Sequence, residues 1–101
     1  MKTMDPEYES KQKRCGIKKG QQVQVIVKES SSEIPQKGGN LLWRKTSKEF
    51  TSMHAVIKAI YEALPEYKGK RVFVDVWNKT SGERYRCSHH YIPKNRIPFT
   101  L

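Results

Sequence analysis

Residues 51–77, TSMHAVIKAIYEALPEYKGKRVFVDVW, decide the fold. Met53, Val56, Ile57, Ile60, Tyr61 and Leu64 recur at alternating spacings of three and one, the stripe of an amphipathic helix. Pro65 pushes Leu64 out of the α region, so the helix ends there. Lys68-Gly69 is a turn signal. From Arg71 to Trp77 the period drops to two. Val72, Val74 and Val76 share one face of a strand; Arg71, Phe73, Asp75 and Trp77 share the other.

Two more strands flank this unit. Residues 21–28, QQVQVIVK, alternate Val23, Val25 and Val27 with Gln22, Gln24 and Ile26. Residues 83–92, ERYRCSHHYI, follow the turn cluster Asn78-Lys79-Thr80-Ser81-Gly82 and pair with 71–77 as a hairpin closed by Pro93. Residues 40–46, NLLWRKT, read as a further strand with Leu41, Trp43 and Lys45 on one face. A rival lies beside it: Thr46-x-x-Glu49 has the form of a capping box, which would start the helix near Ser47 instead of Ser52. Residues 29–40, ESSSEIPQKGGN, are a long loop by composition, and loops of that length are often mobile or functional.

The expectation is a single α+β domain of ββαββ order, one helix on a four-stranded, mainly antiparallel sheet. In element order alone this resembles the β-grasp plan. A helix followed by RVFVDV is also similar to part of the ribonuclease H plan, with Asp75 in a carboxylate position. That plan needs a preceding three-strand meander and further carboxylates. No acidic residue follows Glu83, and the reading is set aside.

The chain has 101 residues, enough for one domain. Hydrophobic residues make up 36%, below the ~45–50% usual for globular chains, so part of the chain is expected to stand outside the core. Residues 1–20 are polar and aperiodic, and read as a flexible basic arm before a domain spanning 21–101. In the tail, Ile97, Phe99 and Leu101 would cover a sheet edge. The first twenty residues carry no apolar run of the secretory kind, and no stretch approaches the ~18 apolar residues of a membrane span. A cytoplasmic location is the expectation, with Cys15 and Cys87 as free thiols, Cys15 exposed in the arm and Cys87 under the helix.

Net charge is +10, more than the magnitude of ~2–8 that solubility asks of a small domain. A field of that sign favours polyanions. In the hairpin register that opposes Val76 to Tyr85, Cys87 faces Val74 and His89 faces Val72. Tyr85, Cys87 and Tyr91 then join the valines under the helix. Phe73 and Trp77 lie on the outer face with Arg84, Arg86 and His90, where Asp75–Arg86 would be a cross-strand ion pair and Trp77–Arg84 a cation–π contact. Lys94 and Arg96 extend the positive region. Aromatic rings beside cations are how single-stranded nucleic acid is held: bases stack while Arg and Lys neutralise phosphates. Against this, the 29–40 loop or the C-terminal tail could simply cover Phe73 and Trp77.

The expected function is therefore a small, non-enzymatic nucleic-acid-binding accessory or regulatory protein for RNA or single-stranded DNA. Its candidate contacts are Phe73, Trp77, Arg84, Arg86, His90, Lys94 and Arg96. Size and charge associate it with phage or mobile-element regulators. The alternative is an interaction module or inhibitor that docks an acidic partner protein, by strand addition at an open sheet edge. A metal-independent ribonuclease is a further alternative: His89, His90, Tyr91, Lys94 and the arginines supply acid, base and cation, but no spacing constrains them. Cys87-Ser88-His89-His90 with Cys15 invites a metal. One ligand pair at best, with 89 and 90 on opposite strand faces, argues against it, and no cofactor or metal is expected. Asn78-Lys79-Thr80 has the form of a glycosylation acceptor, without functional weight in the absence of an export signal.

Overall fold

A computed structural model of the chain describes residues 15–94. The elements are β1 (Val23–Glu29), β2 (Leu41–Ser47), α1 (Met53–Ala63), a 3₁₀ turn (Pro65–Tyr67), β3 (Arg71–Asn78) and β4 (Arg84–Tyr91). This is the α+β, ββαββ arrangement that the periodicities imply. The sheet order is β2-β1-β3-β4, and every neighbouring pair is antiparallel. β2 and β3 consequently run parallel to each other, joined by α1 across the strand between them.

The helix starts at the later of the two candidate positions. Ser52 is extended and its hydroxyl accepts from the Ala55 N–H at 3.1 Å, satisfying one of the orphan donors of the first turn. The rival capping box does not form, because Thr46 and Ser47 are used in the β2 ladder and the Ser47 hydroxyl accepts from the Glu49 N–H. At the other end the Leu64 N–H bonds back to Ile60 O before Pro65 opens the 3₁₀ turn.

The core lies between α1 and one face of the sheet. Val56, Ile57, Ile60 and Leu64 pack against Val23, Val25, Val27, Val72, Val74 and Val76. All six valines have no exposed surface. Together their burial is worth on the order of 10 kcal/mol as an upper estimate. Phe50 and Ile92 close the ends of this core, and Trp43 packs against it from the edge strand.

Cys15 and Ile17, expected in a flexible arm, are core residues instead, 5% and 9% exposed. The cause is a polar anchor invisible to periodicity. Asn78 is wholly buried, and its Nδ2 donates to Gly16 O at 2.8 Å and to Gln21 Oε1 at 2.9 Å. Its Oδ1 accepts from the N–H groups of Thr80 and Ser81, which shapes the β3–β4 turn. One side chain thus ties residues 16–21 to the hairpin. The remainder of the proposed arm, residues 1–14, and the tail residues Ile97, Phe99 and Leu101 lie outside the described residues.

Both cysteines are free thiols. Cys15 Sγ lies 3.5 Å from Glu83 O, and burial pushes its pKa up, so reactive thiolate is scarce there. Cys87 is half-buried on edge strand β4. A thiol reagent added to the native protein is expected to modify Cys87 before Cys15. Mass mapping of the first adduct checks this, and label appearing first on Cys15 would refute the docking of residues 15–17.

Two β-bulges alter the faces expected from strict alternation. In the β1–β2 pair, Val27 opposes Trp43 but Lys28 opposes Leu41, so Leu42 is the extra residue. Leu41 is thereby moved off the face of Trp43 and Lys45, and stands 54% exposed. In the β3–β4 pair, Val76–Tyr85 and Val74–Cys87 face each other as expected, but Val72 opposes His90, not His89. The insertion falls at residues 88–89 and flips everything after it.

Candidate nucleic-acid interface

The face of the sheet turned away from α1 is built from alternate residues: Gln24, Ile26 and Lys28 of β1, Arg44 and Thr46 of β2, Phe73, Asp75 and Trp77 of β3, and Arg84 and Arg86 of β4. The ladders set Gln24 beside Trp77, Ile26 beside Asp75 and Lys28 beside Phe73. On the other side, Arg86 faces Asp75 and Arg84 faces Trp77.

Asp75 organises the positive half of this face. It is 7% exposed, and both its carboxylate oxygens are gripped by Arg84, Nε at 3.0 Å and Nη2 at 3.1 Å. Arg86 Nε stands farther off, 3.6 Å from Oδ2. The expected directly opposed pair is therefore the weaker contact, and the diagonal one is bidentate. The fork of a guanidinium matches two carboxylate oxygens better than one. That bond holds the Arg84 pKa above its already high ordinary value. The Arg84 guanidinium also lies 4.9 Å from the centre of the Trp77 ring, the cation–π contact expected, with Lys79 Nζ at 5.3 Å from the same ring. Trp77 is half-buried between them.

The far half of the face is covered. Loop 30–40 folds back over the sheet, held by Gly39 N–H to Glu29 O at 2.7 Å and by Asn40 N–H to Glu29 Oε1 at 3.3 Å. Gly38 has φ +70, and a Cβ there would meet Phe73 Cβ and Cγ at 3.0 Å. Only glycine lets the loop backbone reach the ring so closely. Phe73 is left 3% exposed, with Lys28 Nζ 5.9 Å from its centre. It is a floor residue of this face and not a stacking platform.

His90 leaves the site altogether. The bulge turns it to the helix-side face, where Tyr85 Oη lies 3.1 Å from its Nδ1. Burial, then the nearby Arg71 charge, holds its pKa below the ordinary histidine value. Burial beside Cys87 pushes the Tyr85 phenol up. The phenol thus keeps its proton and shares a hydrogen bond with the imidazole. Tyr91, expected under the helix, is displaced in the opposite sense. It is 45% exposed, with the Arg71 guanidinium 5.4 Å from its ring. His89 approaches Ser30 Oγ through Nδ1, at the root of the loop. The two histidines therefore occupy opposite sides of β4.

Of the seven candidate contacts, Trp77, Arg84 and Arg86 come together. Phe73 lies on the same face beneath the loop. Lys94 sits at the opposite end of β3, against Gly69 in the turn before that strand. Arg96 lies outside the described residues. Sequence reasoning missed Arg44, Lys79, Lys28 and Lys37. Arg44 was legible by alternation, being next to inward-facing Trp43, and Lys79 by its place one residue beyond Asn78. Lys37 had no such signal, because the path of a loop is not periodic.

Among the described residues no helix is long and apolar enough to cross a membrane, and no three His, Cys, Asp or Glu side chains are placed to hold a metal ion. Comparison with protein-family models, with curated proteins and with solved structures finds no match for the chain.

Proposed function

We propose that the protein is a cytoplasmic accessory factor that binds single-stranded nucleic acid on the sheet face opposite its helix, and that it is not an enzyme. The observation that carries this reading is the composition of the open half of that face. A half-exposed indole stands between Lys79 and Arg84, with Arg86 on the same face of β4 and Arg44 on the same face of β2. The one carboxylate among the outward-facing strand residues, Asp75, is buried and already neutralised. A base stacks on Trp77 by displacing the exposed Lys79 ammonium, which is then free for phosphate. Arg84 is committed to Asp75 and braces one face of the indole. Arg86, more loosely held, and Lys79 serve as the phosphate contacts.

The test is a titration with RNA and single-stranded DNA at two salt concentrations, read by calorimetry for every variant and also by Trp77 fluorescence in a Trp43→Phe background that keeps Trp77. Trp77→Ala is expected to weaken binding by about 1–3 kcal/mol, roughly five- to 150-fold. Lys79→Ala should instead lower the slope of log affinity against log salt by about 0.7. Unaltered affinity and slope in both folded variants would reject the surface.

A second reading, docking of an acidic protein segment, is favoured by one feature. β2 is an edge strand on which Leu41, Arg44 and Lys45 are exposed. It predicts no nucleic-acid binding and a partner whose capture is lost when β2 is altered.

A further inference from the structure

We infer that the face ends in a pocket for a terminal phosphate, so that the protein holds a single strand by its end. This rests on the nucleic-acid reading above. Between loop 30–40 and the sheet lies a cleft of about 180 Å³. Its walls are Lys28, Gln36, Lys37 and Arg86, over a floor of Ile26 and Phe73. Asp75 reaches the same cleft, but Arg84 satisfies both its oxygens from the far side. Among the described residues neither Lys28 nor Lys37 has a carboxylate partner, the ion pairs there being those of Asp75 with Arg84 and Arg86. The Lys28 ammonium is steered by Lys37 O at 3.4 Å, which brings it to the loop side of the cleft. Three cationic residues and Gln36 therefore line a small cleft whose own negative charge, Asp75, is already compensated.

The position of the cleft gives it polarity. A strand stacked on Trp77 and running along β3 has roughly 13 Å of sheet, four residues at about 3.3 Å each, before it meets Phe73. There the backbone of Gly38 is in contact with the ring, and nothing passes beneath it. An internal phosphodiester would have to turn out over the loop. A terminal phosphate ends in the cleft. It also carries up to a second negative charge at neutral pH, which three cations match better than one charge.

The experiment titrates the full chain with short oligothymidylates of one length carrying a 5′-phosphate, a 3′-phosphate or neither, and with a circular form. An unphosphorylated oligomer one nucleotide longer controls for charge. Inorganic phosphate is titrated alone. One phosphorylated end is expected to bind about tenfold more tightly than the longer control and the circle. Lys37→Gln should remove that preference and Lys37→Arg restore it. Lys37 is exposed on the loop, so both variants keep the fold. Equal affinity for all oligomers would overturn end recognition while leaving the binding surface intact. Failure of every oligomer to bind would overturn the surface itself. Inorganic phosphate binding as tightly as the phosphorylated oligomer would make the cleft a free-phosphate site and overturn the proposal.

Discussion

Ile60→Ala is expected to remove a large share of the stability of the domain. Ile60 is 1% exposed, in the middle of the α1 stripe and against the valine face of the sheet. Truncation deletes methyl and methylene groups from a site with no water to fill it. The cost is about 2–5 kcal/mol, transfer and cavity terms together. A domain of this size has only about 5–15 kcal/mol to lose. A loss near 3 kcal/mol lowers Tm by roughly 12–24 °C. Lys58→Ala, on the exposed side of the same helix, should stay within about 0.5 kcal/mol. Calorimetry on both variants checks the contrast. A shift of a degree or two for Ile60→Ala would mean that α1 is not the lid of the core.

Asn78→Ala is expected to cost about 2–4 kcal/mol, an unusual figure for a polar residue at the end of a strand. Its side chain makes four hydrogen bonds with no exposed surface. Each is worth roughly 1 kcal/mol net, and groups left buried without a partner cost more. The N–H groups of Thr80 and Ser81 can turn to water. The Gly16 carbonyl, whose loss frees the segment carrying Cys15 and Ile17, sets the larger part of the cost. Asn78→Asp separates the two halves of the anchor. It keeps the acceptor for Thr80 and Ser81 but aims carboxylate oxygen at Gly16 O and Gln21 Oε1, and should be at least as damaging. In either variant Cys15 should become reactive toward thiol reagents at native temperatures. Wild-type stability in Asn78→Ala, or an unreactive Cys15 in a destabilised one, would refute the anchor. The same geometry removes the sequon from consideration in the folded chain, since the Nδ2 that would carry a glycan is buried and doubly bonded.

The candidate site was legible where alternation held and illegible where it broke. Trp77, Arg84 and Arg86 follow from period two and one correct hairpin register, because the first residues after the turn pair without interruption. His90 and Tyr91 changed faces because one inserted residue reverses every side chain beyond it. No composition signal marks that insertion, since Ser88 and His89 suit either register. Phe73 was placed on the correct face, yet whether it was open depended on loop 30–40. Gly38-Gly39 hinted at a tight backbone path without giving its direction.

The periods of 3.6 and 2.0, the proline stop at residue 65 and the turn at residues 78–82 are local properties, and by themselves they determined the four strands, the helix, the β3–β4 hairpin and the apolar faces of α1, β1 and β3. They also determined that the chain is cationic, since charge is a sum over residues and needs no geometry. Only the tertiary structure decided that β1 lies between β2 and β3, that residues 15–17 belong to the core, that Arg84 and not Arg86 grips Asp75, and that the loop closes one half of the outer face. Those outcomes rest on contacts between residues as far as 68 positions apart, from Cys15 to Glu83. Such contacts are selected by packing and by the satisfaction of buried polar groups, and neither leaves a periodic trace in a sequence.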